Sequence, residues 1–380
     1  TTEMRIGFDG KRAVQNFTGL GNYSRYVADI LCHFYPENDY VLYAPKKREN
    51  KRMNLLTGQY RQLTLAYPAT SFWKKLSSLW RVWGITSQLE KEGIELFHGL
   101  SNELPLNIHK SRIKSIVTIH DLIFLRYPQY YQSIDRKIYT YKFRKACENA
   151  DKIIAISECT KRDIIRYFNI PDDKIEVVYQ GCDVSFTHPV TEEKKEEVRK
   201  KYQLPDHYIL NVGSIEERKN ILAAVQALPM LPQHIHIVIV GRRTGYTEKV
   251  EQFIKDNGLG ERVHIISNVP FNDLPAFYQS AEIFVYPSRF EGFGIPIIEA
   301  LYSGIPVVAA TGSCLEEAGG PDSIYVNPDD ITGLADAFKQ IYSNSDKRKN
   351  MVEKGREFAK RFSEKQQSEE IINIYKKLIR

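Results

Sequence analysis

The sequence predicts an α/β protein made of two Rossmann-like halves, each a parallel sheet covered by helices. Short apolar runs alternate with amphipathic stretches, the pattern of parallel strands joined by crossover helices. The alternation pauses once, at Gln180 to Thr191, and then restarts. The length, 380 residues, also exceeds what one hydrophobic core ordinarily organises. These observations place an N-terminal domain at 1–185 and a C-terminal domain at 186–362. Two such sandwiches joined near residue 185 are expected to face each other across a deep cleft. Ligands of open α/β sheets bind beyond the carboxyl ends of the strands, so that cleft is the expected site.

In the first half the expected strands are Arg5–Phe8, Tyr40–Tyr43, Leu96–His98, Ser115–Ile119, Lys152–Ile156 and Ile175–Val178. Helical periodicity fills Gly21–Phe34 and Lys137–Asn149. After the pause, the charged run from Glu192 to Lys201 reads as an exposed helix. Strands are then expected at Tyr208–Gly213, Ile235–Gly241, Val263–Ile266, Ile283–Tyr286 and Pro306–Ala310. Pro296 suits the start of a helix and Gly304 the residue past its end.

Composition excludes several classes. With 42% hydrophobic and 26% charged residues the chain reads as a soluble globular protein. No apolar run reaches the ~18 residues of a membrane span, and no secretory leader is apparent before the first strand. The five cysteines are scattered, with no Cys-x-x-Cys pair, which points to a reducing cytoplasm and to no metal site. Residues 1–180 hold 28 Lys and Arg against 19 Asp and Glu, a balance of +9; residues 181–380 hold 25 against 28, a balance of −3. The basic half suits an anionic partner, or solubility alone.

Four constellations carry chemistry. Thr18-Gly19-Leu20-Gly21 reads as a ligand loop or as a plain turn opening a helix; a nicotinamide-binding fingerprint would need a third glycine. His120-Asp121, at a strand end, suits a hydrogen bond to a sugar hydroxyl or a proton shuttle, with a structural histidine as the alternative. His98 is a weaker case of the same kind. Gly213 with Arg218-Lys219 presents two cations before a helix, as a diphosphate requires. The stretch from Arg289 to Ala300 sets Glu291 and Glu299 around Gly292-Phe293-Gly294-Ile295 at a helix N-terminus, an anion-attracting place. Carboxylates there suit hydroxyls, so a sugar nucleotide is the ligand that fits both. Glu299 is expected in the first helical turn, with both carboxylates on one rim.

These residues together resemble the retaining glycosyltransferases of family four, also called group 1, and the resemblance runs end to end. The Glu, seven residues, Glu spacing carries it most strongly, with Tyr286-Pro287-Ser288, Gly304-Ile305-Pro306, Val212-Gly213, Arg218-Lys219-Asn220 and His120-Asp121. The resemblance implies the GT-B fold of two Rossmann-like domains, with a C-terminal helix from Ser363 crossing back to complete the N-terminal domain over 363–380. It implies that Glu299 holds the ribose hydroxyls, and that Glu291 with the Phe293–Ile295 backbone holds the donor sugar. Arg218 and Lys219 would neutralise the leaving diphosphate, His120 would sit near the reacting carbon, Gly19 and Gly21 would approach the diphosphate, and Val269 would line the base pocket. Two places depart from the family pattern: Ser313-Cys314-Leu315-Glu316-Glu317 replaces a Pro-Glu pair, and Glu364 stands where an aromatic follows the serine.

The run from His120 to Phe124 and the helix start from Ser157 to Asp163 look most like the mannosyltransferase branch, so GDP-mannose is the expected donor and a UDP-sugar the alternative. A sugar-nucleotide epimerase and a non-catalytic sugar-nucleotide-binding protein are the rival classes. No Asp-x-Asp occurs, so transfer is expected without a metal or other cofactor. The expected acceptor is a glycan or a lipid-linked glycan, and nucleic acid is not expected. Phe72, Leu76, Leu79, Trp80 and Trp83 share one face of a helix written straight through Ser71 to Trp83, flanked by Lys74, Lys75 and Arg81. Such a helix suits an anionic membrane surface, giving a cytoplasmic protein peripheral on the inner face, or it packs on the sheet.

Overall fold

The computed structural model describes residues 3–380; Thr1 and Thr2 lie outside the described residues. The chain divides into two compact units: residues 1–180 with 363–380, and residues 181–362. The boundary falls between Gln180 and Gly181 rather than after residue 185. The short turn Val184–Thr187 packs on the helix Ile295–Ser303 of the second unit, and its Phe186 is buried against Tyr278.

The first unit is a seven-stranded sheet in the order β3-β2-β1-β4-β5-β6-β7. Its strands are β1 (Arg5–Asp9), β2 (Asp39–Tyr43), β3 (Leu63–Ala66), β4 (Leu96–Gly99), β5 (Lys114–Ile119), β6 (Lys152–Ala155) and β7 (Ile175–Val177). All neighbours pair in parallel. The second unit is a six-stranded sheet in the order β10-β9-β8-β11-β12-β13. It comprises β8 (Tyr208–Val212), β9 (His236–Val240), β10 (Val263–Ile266), β11 (Ile283–Tyr286), β12 (Val307–Ala310) and β13 (Ile324–Val326), again all parallel.

Strands covered on both faces become nearly continuous apolar runs, which is why Ile237-Val238-Ile239-Val240 and Val307-Val308-Ala309-Ala310 are buried throughout. Two strands lie outside the sequence reading, β3 and β13. Both are sheet edges, short and half-exposed, so no buried run marks them. In each sheet the order reverses beside the first strand, between β1 and β4 and between β8 and β11. Those are the switch points at which open α/β sheets bind ligands.

The helix Glu364–Ile379 belongs to the first unit and is capped by Ser363, whose hydroxyl accepts from the Gln366 amide. It packs on the helix Gly19–Phe34, where Tyr26 bonds Gln367. Tyr375 is buried and meets His98 Nδ1 at 2.5 Å, while His98 Nε2 meets Thr118 Oγ1 at 2.7 Å. Burial holds the His98 imidazole neutral, with its pKa near 3. His98 is therefore a tie between β4, β5 and the last helix, not a ligand group.

The tryptophan-rich segment departs from the straight helix read in the sequence. Helical turns at Ser71–Lys75 and Ser77–Leu79 are separated by Leu76, and a π-turn covers Trp80–Gly84 before the helix Ile85–Lys91. The break and the wide turn rotate Trp80 inward, where it is 0% exposed and its indole N–H donates to Gln88. Phe72, Leu76, Leu79 and Trp83 stay outside, 39–61% exposed. Gly84 is required here, since a Cβ would stand 2.5 Å from the Trp73 ring.

Candidate active site

The strongest cluster of charges lies at the switch point of the second sheet. β8 ends at Val212, and Gly213 follows with φ +154°. The neighbouring Gly241, after β9, has no room for a side chain: a Cβ would fall 1.7 Å from the Gly213 carbonyl. The chain then passes Arg218 and Lys219 and enters the helix Ile221–Ala227 through Asn220, which is in the left-handed region. The Asn220 side-chain amide donates to the carbonyls of Pro287 and Pro328, pinning this loop to those after β11 and β13.

Glu291 lies in the loop after β11. Its carboxylate stands 2.6 Å from Lys219 and 3.3 Å from Arg218, and accepts from the Ser288 hydroxyl at 2.9 Å. All three charged side chains are nearly buried, 12–17% exposed. Desolvation opposes every charge here, yet the opposite charges win. The Glu291 carboxyl is held below its ordinary value by Lys219 and then Arg218, and the Lys219 ammonium is held above its own by Glu291. Lys219 also reaches the Tyr286 hydroxyl at 3.2 Å, and Arg218 donates to the Phe290 carbonyl at 2.6 Å. The sequence reading gave the cations to phosphate and the glutamate to sugar; here the three form one ion cluster.

Glu299 is in a different state. It is the fifth residue of the helix Ile295–Ser303, hence in the second turn rather than the first. The helix opens at Gly294 with φ +118°, a conformation that favours glycine, and closes at Gly304 with φ +75°. Among the described residues no cation forms an ion pair with the Glu299 carboxylate. Its partner is the Tyr278 hydroxyl, which donates at 2.5 Å. Burial pushes the Glu299 pKa to about 7, the Tyr278 bond pulling it down and Asp183 pushing it further up. The two carboxylates thus sit in separate electrostatic settings.

The intervening loop is held from behind. The buried Cys314 thiol lies 2.9 Å from the Glu291 carbonyl and 3.1 Å from that of Phe293. Phe293 and Gly294 are buried, Gly292 and Ile295 partly so. Val269 is half-buried in the loop after β10, beside Asn268 in the left-handed region. Tyr278, Ser288 and Cys314 were missed in the sequence. Cys314 stands where the family pattern breaks, and Ser288 stands in the Tyr286-Pro287-Ser288 run that carries the resemblance, which were their signals; Tyr278 gave none.

In the first unit, His120 follows β5. Its Nε2–H donates to the Leu100 carbonyl at 2.8 Å, and the ring packs edge-on to Tyr23. Burial lowers its pKa to about 4, so it is neutral at pH 7. One ring nitrogen is therefore committed to the backbone, which removes Nε2 as a donor to a sugar hydroxyl and leaves Nδ1 as the acceptor. Asp121 accepts from the Ile123 amide at 3.1 Å and so turns the chain into the next helix. Gly19 and Gly21 lie in the first turn of the helix Gly19–Phe34, not in a loop before it. A Cβ on Gly21 would strike the Asn16 carbonyl at 1.9 Å, whereas one on Gly19 would meet open space. Gly21 thus has a packing reason, and Gly19 leaves the backbone open to approach.

Known proteins resemble this chain in sequence and in fold. The model of glycosyl transferases group 1 matches residues 192–358, and that of Glycosyltransferase Family 4 matches residues 24–186. The O-antigen chain mannosyltransferase B of Escherichia coli is 31% identical over 289 residues, covering 74% of either chain. The O-antigen chain mannosyltransferase RfbU of Salmonella typhimurium is 29% identical over 59% of this chain and 60% of its own. Among solved structures, that of Anabaena HepE in complex with UDP aligns with a TM-score of 0.78 at 16% identity, covering 99% of this chain and 100% of that one.

Proposed function

Because this chain belongs to the group 1 glycosyltransferases, as a hexosyltransferase with the two-Rossmann GT-B fold, we propose that it transfers mannose from GDP-mannose, with retention of configuration, onto a glycan or lipid-linked acceptor in cell-surface polysaccharide synthesis. The observation that carries this reading is the Glu291–Lys219–Arg218 cluster at the β8/β11 switch point. Its cations meet the donor diphosphate, which then competes with Glu291 for them. Glu291, loosened in the exchange, accepts from the donor sugar's hydroxyls. Glu299 accepts from the ribose hydroxyls, and Val269 lines the base.

The chemistry follows from charge. Two buried cations stabilise the negative charge that develops on the departing diphosphate, and they do so in a poorly solvated place where such stabilisation is strong. The sugar passes through an oxocarbenium-like state, and the acceptor hydroxyl attacks from the face the diphosphate leaves, with a donor phosphate oxygen taking its proton. His120, neutral at pH 7, is confined to accepting through Nδ1. We assign no metal to the step; full activity in EDTA is expected, and its loss would refute that assignment. We place the protein in the cytoplasm, touching the anionic membrane face through Phe72, Leu76, Leu79 and Trp83, a contact that flotation with anionic vesicles tests.

The deciding assay is donor hydrolysis without acceptor. GDP release from GDP-mannose, absent in Glu291→Ala, supports transfer chemistry over a binding module. The specific alternative is a UDP-sugar donor, favoured by the UDP complex of the Anabaena neighbour. Competition between GDP and UDP separates the two: protection by UDP alone overturns the GDP-mannose reading.

A further inference from the structure

His120 stands one residue beyond the end of β5, so its backbone groups need partners from outside the strand. The chain that follows β4 supplies one. It curls back so tightly that a Cβ on Gly99 would fall 2.1 Å from the Glu103 carbonyl. From this turn the Asn102 amide donates to the Thr118 carbonyl at 3.0 Å, and the Asn102 side-chain oxygen accepts from the His120 amide at 2.8 Å. One residue thus bonds the chain on both sides of Ile119. The His120 carbonyl is held as well: the Thr160 hydroxyl donates to it at 3.2 Å, and the Ser157 hydroxyl donates to Thr160 at 3.1 Å.

Asn102 is in an uncommon conformation for a residue with a side chain. It is buried and has φ +69°, in the left-handed region that asparagine enters more readily than most residues. Strain of this kind persists where the surroundings hold it, and it gathers at functional sites. The turn that Asn102 makes also carries Leu100, two residues earlier, to the His120 ring, where its carbonyl stands 2.8 Å from Nε2. A carbonyl only accepts, and a neutral imidazole has one N–H, so the Leu100 carbonyl keeps that proton on Nε2. The ring rests edge-on against Tyr23, whose hydroxyl meets Thr118 Oγ1 at 3.0 Å. Thr118 is therefore tied at its carbonyl by Asn102 and at its hydroxyl by Tyr23 and His98.

We propose that Asn102 is a positioning residue for His120: by bonding the chain on both sides of Ile119 it keeps the Leu100 carbonyl against Nε2, and so fixes the tautomer that leaves Nδ1 as the acceptor. Two contacts are needed for this, one to the backbone and one to the ring, and a single turn provides both. Without the side-chain bond the end of β5 can move against the turn, and the ring is then free to place its proton on either nitrogen. The use of this control in transfer rests on the proposed function, which sets His120 beside the reacting carbon; the control itself does not.

The test is a nitrogen–proton correlation spectrum of the full chain labelled at its histidine nitrogens, with the His120 signals assigned by their loss in His120→Gln. The parent should show His120 with its proton on Nε2. Asn102→Gly keeps the left-handed turn and removes the acceptor; it should show both His120 tautomers in exchange, and kcat for donor hydrolysis should fall about tenfold. GDP affinity, assigned above to the second unit, should not change. Asn102→Asp keeps the turn and the acceptor, so it should restore the tautomer. Its carboxylate favours the imidazolium, so the His120 midpoint should rise above about 4. Should Asn102→Gly fail to fold, that midpoint decides. A parent with the proton on Nδ1, a tautomer unmoved in Asn102→Gly, or a midpoint unmoved in Asn102→Asp would each overturn the assignment. If the parent releases no GDP from GDP-mannose while the tautomer still follows Asn102, the transfer reading fails and the positioning role stands; transfer with a tautomer indifferent to Asn102 is the reverse.

Discussion

Glu291 and Glu299 come from one motif and end in opposite electrostatic states. Both are buried deeply enough for desolvation to push a carboxyl upward. Glu291 meets two cations within 3.3 Å and stays ionised. Glu299 meets one hydroxyl and titrates near pH 7. Desolvation is common to both; the partner decides. The two opposite charges beside Glu291 outweigh its burial, whereas the neutral hydrogen bond to Glu299 offsets only part of it. The first glutamate is therefore a fixed charge that organises its neighbours, and the second is a proton-sensitive group.

That contrast breaks most visibly at Glu291. Glu291→Ala leaves Lys219 and Arg218 buried beside each other without their anion, a change that costs about 3 kcal/mol or more. We expect a fall in thermal stability together with loss of sugar transfer by about a hundredfold or more, and partial recovery of the melting temperature when a nucleoside diphosphate supplies the missing charge. A variant that melts like the parent and needs no ligand would show that the cluster is not the coupled unit described.

Glu299 gives the next largest effect, and its sign is defined. Its folded pKa, about 7, lies above the ordinary carboxylate value of 4.5, so between those pH values the folded protein holds a proton that the unfolded chain has released. Its contribution to stability is thus present at low pH and declines as pH rises through that window, levelling above 7. Under the proposed donor site, binding is expected to run the other way, because an ionised carboxylate is the better acceptor for ribose hydroxyls. Nucleoside-diphosphate affinity is expected to rise about tenfold from pH 5.5 to 8. In Glu299→Gln the part of that rise owed to this carboxylate should vanish. Unchanged affinity and an unchanged profile in the variant would remove Glu299 from the ribose site.

Tyr278→Phe sharpens the comparison without touching either carboxylate. The Tyr278 bond lowers the Glu299 pKa, so its removal should move the binding midpoint to higher pH while leaving affinity at pH 8.5 nearly intact. A uniform loss at every pH would mean that the tyrosine only packs. The smallest effect is expected at Cys314. Cys314→Ala deletes the thiol contact to the Glu291 and Phe293 carbonyls and should cost about 1 kcal/mol, read as a severalfold rise in donor KM with kcat little changed; Cys314→Ser should restore it.

Much of the fold was legible because parallel strands buried on both faces write themselves as apolar runs. β10 and β11 match the sequence reading residue for residue, and most others agree within a residue at either end. The edge strands β3 and β13 were not legible, because half-exposed strands of three or four residues lack that signature. The tryptophan segment shows a different limit. Its apolar spacing fits one straight helical face, yet a break at Leu76 and a π-turn at Trp80 send Trp80 into the core and leave the other four outside. Periodicity reports which residues would share a face if the helix ran straight; it does not report where the helix breaks.

At the site, the sequence by itself determined the parts: the glycines, the adjacent cations, the two glutamates and the strand ends that carry them. Local chemistry settles these, since only glycine suits the positive φ at Gly294 and only a strand end delivers a loop to the switch point. The tertiary structure decided the states. Whether Glu291 pairs with Lys219, whether Tyr278 reaches Glu299, whether His120 spends its Nε2 proton on Leu100, and whether the Asn102 side chain reaches the His120 amide depend on residues 18 to 72 positions apart. Charge and protonation follow distance and burial in space, and neither is set by spacing along the chain.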